Sequence, residues 1–330
     1  MTDNINTTLS SIGLIFNNQD ILGEISKLIE LELDKLVVIP NKITVLSYNV
    51  CHDAMIGTNK NCTIKSQMKM TDCYENVIKF MDNGKYEFIG AQETSYMFAL
   101  DQIYLKTLNL SSMNYVFNQS IELTSIITFY DNKYVLDNGI NTINSYMFDS
   151  DSPITILFFR GNLCVINVLL GKNNNLNNFD THLKEILENN KPISPTFKTY
   201  TNKGSLKTTF IFNNNKDIIT DTEKESIISK LKTYDIIMMG DFGDEIGPSN
   251  VFLIDPFYNI PSGRTFNGRN TIKTCCDPDI QFRLFKNGFF LKDMEYAHDN
   301  ILSTMTNVKT TVLKVLEASN HFPITAEITK

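Results

Sequence analysis

Four short segments of this chain carry side chains able to hold a cation and move a proton, and each ends an apolar stretch. They are Leu46-Ser-Tyr-Asn49, Ile89-Gly-Ala-Gln-Glu93, Met239-Gly-Asp241-Phe-Gly243 and Ala318-Ser-Asn-His321-Phe-Pro323. A strand that ends in polar side chains delivers them to the rim of a sheet, where several such ends share one crevice. Asn49, Glu93 and Asp241 offer oxygen ligands to a hard divalent cation, and His321 offers an imidazole beside them. Each segment also has a plainer reading. Asn49 can cap its strand, Asp241 can form a turn between its glycines, and His321 before Phe322-Pro323 can be a packed core residue. Their joint occurrence in this order is what points to a site.

The elements that must position these residues follow from periodicity. Ile21, Leu22, Ile25, Leu28, Ile29, Leu33 and Leu36 recur at three- and four-residue spacing, which predicts an amphipathic helix over 19–37, closed by Pro40. Lys42 to Val50 alternates and is rich in β-branched residues, so it predicts a strand. Thr71 is placed to cap a helix carrying Tyr74, Val77, Ile78 and Met81, ended by Asn83-Gly84. Phe88 to Ala91 follows as a short buried strand, and Ile126–Tyr130, Ile154–Phe159 and Leu163–Val168 as three more. Arg160-Gly161-Asn162 reads as a hairpin turn, and 179–188 as a short helix. Thr222 to Glu225 forms a capping box opening a helix with Ile227, Ile228 and Leu231, after which Asp235–Met239 is a buried strand.

Composition bounds the reading. With 330 residues, 42% hydrophobic and 20% charged, the chain can build a large core, which excludes a disordered or disulfide-stapled small protein. Its net charge of −7 argues against a basic nucleic-acid-coating protein, though not against a local basic groove. The polar start has no basic segment followed by an apolar one, and no apolar run approaches the ~20 residues of a membrane helix. Six cysteines show no metal-finger spacing, and adjacent Cys275 and Cys276 suit a disulfide poorly. A reducing, cytoplasmic setting is the expectation, with no membrane partner.

The chain resembles the endonuclease/exonuclease/phosphatase superfamily from about Ile43 to Ile328. Tyr48-Asn49 matches that family's opening strand and Gln92-Glu93 its Gln-Glu pair. Gly240-Asp241-Phe242 matches most of Gly-Asp-Phe-Asn, and Ser319, His321 and Pro323 match most of the closing Ser-Asp-His-x-Pro. Thr128 to Asp131 looks like its central strand. The resemblance implies a four-layer α/β sandwich, two packed mixed β-sheets flanked by helices, over 41–330, and leaves out the N-terminal helical extension at 1–40 that the periodicity predicts. It implies a magnesium- or manganese-dependent phosphodiesterase or phosphomonoesterase. Asn49 and Glu93 would hold the metal, Asp241 would orient or deprotonate water, and His321 would complete the proton network. A phosphate-containing ligand or nucleic acid would be the partner.

The departures from the family pattern carry the functional expectation. The middle-strand His falls on Leu169, the Asn after Gly-Asp-Phe on Gly243, and the Asp of the closing motif on Asn320. Aligning 281–285 with the strand that supplies the Asp for the terminal His places Phe282 there, with Asp277 or Asp279 as partial substitutes. The family's Arg-Pro appears as Ser152-Pro153. One lost transition-state donor costs about 10²–10³ in rate, and such losses combine less than multiplicatively. The chain therefore reads as a catalytically impaired or inactive member that acts by binding, with metal affinity weakened or lost. An active hydrolase is the alternative, resting on the retained Asn49, Glu93, Asp241 and His321, with Asp244, Glu245 and Lys172 as replacement groups. A structural subunit of a larger assembly is the third reading.

Overall fold

A computed structural model describes residues 39–51, 72–94, 110–119, 125–137, 146–147, 153–170, 221–243, 251–252, 264–275, 296–313, 319 and 321–330. By Cα proximity the chain separates into Met1–Pro40 and Asn41–Lys330, and every described strand and helix lies in the second unit. The helix expected over 19–37 and the one over 179–188 lie outside the described residues.

The predicted strands are present and several run further than their apolar runs. They are β1 (Lys42–Asn49), β2 (Phe88–Thr94), β3 (Asn114–Gln119), β4 (Ser125–Tyr130), β5 (Tyr146–Met147), β6 (Pro153–Phe159) and β7 (Leu163–Leu169). After them come β8 (Asp235–Asp241), β9 (Val251–Phe252), β10 (Arg264–Thr265), β11 (Asp299–Ser303), β12 (Asn307–Val312) and β13 (Ile324–Thr329). Two helices are described, α1 (Asp72–Asn83) and α2 (Asp221–Thr233). α2 begins at Asp221, one residue ahead of the capping box read at Thr222. Gly161 and Asn162 take positive φ angles of 84° and 65°, which is how the predicted turn reverses the chain between β6 and β7.

Six strands form one sheet in the order β12-β13-β1-β2-β4-β3, and five form a second in the order β11-β8-β7-β6-β5. Both sheets are mixed, as expected. β1 is parallel to β2 in the first and β7 to β8 in the second, while the other pairs are antiparallel. Each parallel pair is joined by the segment that carries a helix, α1 or α2, because parallel neighbours need a long crossover.

The central strands β7, β8 and β11 are buried on nearly every residue because they are covered on both faces, whereas the edge strand β12 alternates between exposed and half-buried. β7 is buried along its whole length. Polar side chains inside the sandwich are tied across it: Thr128 Oγ1 lies 2.7 Å from Thr155 Oγ1, and Gln92 Nε2 donates to Asn167 Oδ1 at 2.7 Å. Phe88, Tyr130, Tyr134 and Phe159 stack edge-on or tilted with centroids 4.5–6.0 Å apart. Each fully buried Phe or Leu contributes about 1.5–3 kcal/mol, so these interior positions hold the sheets together while the strand ends are left for chemistry.

Candidate metal and phosphate site

The C-terminal ends of β1, β2 and β8 and the start of β11 meet at one point, with His321 facing them just before β13. Three local features aim the side chains. Between Ala91 and Thr94 the β2–β4 register slips, and Glu93 takes φ 54°. A bulge with one left-handed residue re-aims a side chain that plain alternation would send elsewhere, at a cost of about 1–3 kcal/mol. Gly240 precedes Asp241 because a Cβ there would lie 2.0 Å from the Val168 carbonyl of β7. Asp241 Oδ1 accepts the Gly243 N–H at 2.9 Å, so the turn reading of this aspartate is correct for one oxygen and leaves the other for the site.

Asn49 lies at the centre. Its Nδ2 donates to Glu93 Oε1 and to Asp241 Oδ2, both at 3.0 Å, and its Oδ1 accepts the Cys51 N–H at 3.0 Å. As placed, Asn49 bridges the two carboxylates through its NH₂ while its oxygen is used by the backbone. Ser319 Oγ donates to the Asn49 carbonyl at 2.5 Å and accepts the His321 N–H at 3.1 Å, which ties the closing motif to the opening strand. His321 Nε2 lies 3.9 Å from Asp241 Oδ2. The four side chains singled out in the sequence are therefore together, and Asn49, Asp241 and His321 are buried.

One member of the site escaped the sequence reading. His321 Nδ1 donates to Asp299 Oδ2 at 2.8 Å, so Asp299 is the aspartate that orients the imidazole. The expectation that this carboxylate had been lost at Phe282 is corrected: the role sits at the head of β11, and Phe282 lies outside the described residues. Asp299 is fully buried and its backbone N–H donates to Thr274 Oγ1 at 3.2 Å. The available signal was an Asp opening the apolar run Ile301-Leu302, upstream of the closing motif.

Charge follows from this packing. Burial alone depresses the His321 pKa, but Asp299, through charge and hydrogen bond, then Asp241 and Glu93, raise it to about 9. The imidazole is held protonated near neutrality. Burial pushes the Asp241 carboxyl above its ordinary value and Asp299 pushes it further, against His321, the Gly243 N–H and His298. Cys275 Sγ lies 3.2 Å from His321 Nε2. Cys275 is disulfide-bonded, so its sulfur has no proton to give and His321 is the donor. The expectation of reduced thiols is not met at this residue.

Glu93, Asp241 and His321 each offer one ligand atom, and these atoms lie within 4.8 Å of one another. With His321 protonated, the donors available to a cation are the carboxylates of Glu93 and Asp241, with Asp299 behind the imidazole, and the cluster keeps a surplus of negative charge. That set fits a divalent cation.

The substituted positions bear directly on this point. Leu169 ends β7 in register with Asp241 and is buried, so an apolar side chain stands beside the acidic cluster. Gly243 contributes only its N–H, at φ 65°. Asn320, Asp244, Glu245, Lys172 and Ser152 lie outside the described residues. No described helix is long and apolar enough to cross a membrane.

No family model matches the chain. It is 31% identical over 293 residues to uncharacterized protein L684 of Acanthamoeba polyphaga mimivirus, covering 87% of this chain and 50% of that protein. The chain thus spans about half the length of this relative. Among solved structures, it aligns with truncated Caenorhabditis elegans TDP2 at TM-score 0.49 and 11% identity, covering 88% of this chain and 98% of that one. It aligns with ANGEL2, described as a 2′,3′-cyclic phosphatase in complex with adenosine-2′,3′-vanadate, at TM-score 0.48 and 12% identity, covering 87% and 95%. An endonuclease/exonuclease/phosphatase family protein from Bacteroides thetaiotaomicron aligns at TM-score 0.44 and 14% identity, covering 88% and 98%. The chain's own architecture is a pair of mixed β-sheets whose strand ends bring Glu93, Asp241 and His321 together.

Proposed function

We propose that this chain binds a phosphate ester beside a divalent cation held by Glu93 and Asp241, and that it is catalytically impaired. The observation that carries this reading is the pairing of Leu169 with Asp241: the site keeps its acidic cluster but has an apolar side chain at its edge. Leucine neither donates to a phosphoryl oxygen nor carries a proton. Gly243 likewise offers no side-chain donor.

The residues that remain have definable roles. Asn49 spaces the two carboxylates, and Asp299 fixes the ring of His321 with its Nδ1–H engaged. The imidazolium of His321 adds a positive charge beside the cluster, where an anionic oxygen of a bound ester would sit. Asp241 keeps Oδ1 on the Gly243 N–H, so Oδ2 is the oxygen it turns toward the cation. A magnesium or manganese ion, when bound, supplies charge neutralisation for the phosphoryl group. With three losses, at Leu169, Gly243 and Asn320, each worth about 10²–10³ before non-additivity, turnover falls toward background while binding persists.

The test joins calorimetry to turnover. Mn²⁺ or Mg²⁺ binds the wild type and fails to bind Glu93→Ala. A chain carrying Leu169→His, Gly243→Asn and Asn320→Asp gains at least about 10²-fold in cleavage of a nitrophenyl phosphodiester over wild type. A wild type as fast as the restored variant supports the second reading, an active hydrolase, which the intact His321–Asp299 pair favours. Absence of metal binding by the wild type overturns the metal-centred reading.

A further inference from the structure

Beside the oxygen and nitrogen atoms that converge on the site lies one sulfur. Cys275 Sγ is 3.2 Å from His321 Nε2, and the same nitrogen is 3.9 Å from Asp241 Oδ2. Two ligands of a tetrahedral zinc ion, at bond lengths of about 2.0–2.3 Å, sit about 3.3–3.6 Å apart. The two observed separations bracket that span. Glu93 completes the set, since its carboxylate oxygen lies within 4.8 Å of the ligand atoms of Asp241 and His321. A sulfur, an imidazole nitrogen and two carboxylate oxygens suit a borderline-soft cation that prefers four ligands.

The imidazole is oriented as metal-ligating histidines are. Its Nδ1–H donates to Asp299 Oδ2 at 2.8 Å, which leaves Nε2 as the ring atom turned toward Cys275 and Asp241. Ligating histidines almost always give their other ring N–H to such a partner. Asp299 Oδ1 is buried with no hydrogen-bond partner among the described residues, so the charge behind the ring is only half met. Orphaned buried polar atoms are rare in folded proteins, and a dication on Nε2 would answer this one through the ring.

The backbone holds the sulfur in place independently of its covalent bond. Cys275 is fully buried and bridges Tyr296 on one side and His321 on the other, both antiparallel. Its N–H donates to the Tyr296 carbonyl at 2.9 Å, and its carbonyl accepts the Tyr296 N–H at 3.2 Å. The neighbouring Thr274 carbonyl accepts the Phe322 N–H at 2.7 Å. Opening the disulfide therefore changes the chemistry of Sγ more than its position. A disulfide sulfur is no ligand to zinc, whereas a thiolate is.

We infer that reduction of the Cys275 disulfide completes a zinc-type site of Cys275, His321, Asp241 and Glu93, so that the oxidation state of this cysteine selects the class of cation the cluster takes. The inference rests on the cation-binding reading of Glu93 and Asp241 and deepens it. Magnesium or manganese sits on the carboxylates while the disulfide is closed, and a thiophilic cation enters when it is open. The step balances with a dithiol as reductant. Its two thiol hydrogens pass to Cys275 and to the partner sulfur, the protein S–S bond breaks, and the dithiol closes into a cyclic disulfide. When the cation binds, the Cys275 thiol and the His321 imidazolium each release a proton to solvent.

The test titrates Co²⁺, a spectroscopic substitute for zinc, into the full chain before and after reduction by dithiothreitol, which is removed by anaerobic gel filtration before metal is added. Reduced wild type develops a sulfur-to-cobalt charge-transfer band that Zn²⁺ abolishes, and the oxidised form does not. Reduced Cys275→Ser, close in size but without sulfur, lacks the band. Reduced Asp299→Asn loses about 10- to 100-fold in Zn²⁺ affinity by competition. Calorimetry of Mn²⁺ on oxidised wild type reports the underlying reading in parallel. Mn²⁺ binding with no band after reduction overturns the zinc site and leaves the carboxylate reading standing. A band that survives in reduced Cys275→Ser assigns the thiolate to another cysteine and overturns it as well. A band lost in Cys275→Ser, with no Mn²⁺ binding by oxidised wild type, supports the zinc site and fails the carboxylate reading alone.

Discussion

Replacing Asp299 with Asn removes the charge that holds the His321 proton while keeping the shape of the pair. Burial lowers the His321 pKa, and Asp299 heads the carboxylates that reverse this and bring it to about 9. The rise from the ordinary 6.5 to about 9 corresponds to roughly 3 kcal/mol between the two protonation states. The folded-state value lies above the unfolded one. This group therefore stabilises the metal-free protein fully below about pH 6.5, and the contribution is lost as pH rises through about 9. In Asp299→Asn the burial penalty meets only the weaker charges of Asp241 and Glu93, so the imidazole loses its proton at lower pH than in wild type. This shift is read by imidazole ¹⁵N chemical shift in the presence of chelator. Urea unfolding from pH 6 to 10 should show a decline of about 3 kcal/mol in wild type that is smaller in the variant. A wild-type His321 that titrates at or below 6.5, or one that Asp299→Asn leaves unmoved, would refute the assignment of Asp299 as its charge partner.

Two further substitutions test how the site is positioned. Gly240→Ala forces a Cβ to within 2.0 Å of the Val168 carbonyl at φ 146°, so it should destabilise the chain by well over about 1 kcal/mol and lower the Tm by several degrees. Asn167→Leu strands the Gln92 Nε2 donor, whose other acceptor is Ser47 Oγ at 3.3 Å. A loss of about 1–3 kcal/mol in urea unfolding, with Glu93 still able to bind Mn²⁺, is the expected outcome.

The strands were legible because their burial is written in their composition. Ile154–Phe159 and Leu163–Val168 are runs of apolar residues, and only a two-sided buried sheet hides such runs. Strand ends were less legible. β2 was expected to stop at Ala91 and continues to Thr94, because a bulge and a left-handed Glu93 carry the pairing through polar residues. Periodicity has no signal for a bulge, since it breaks the alternation that periodicity measures. In the sequence, the turn-forming habit of Asp241 and its place in the site are competing demands on one side chain. In three dimensions the two carboxylate oxygens divide the tasks.

What the sequence determined by itself is the identity of the chemistry: Asn49, Glu93, Asp241 and His321 at the ends of apolar runs, and Leu169 and Gly243 where donors were expected. Local pattern suffices there, because a strand's composition dictates its burial and its end marks the rim. What only the tertiary structure decided is partnership across long separations. Asp299 meets His321 across 22 residues and Asn49 meets Asp241 across 192, each through strands that pack as neighbours. Both depend on which strands are neighbours and in what register, and a shift of one residue would turn each side chain to the opposite face.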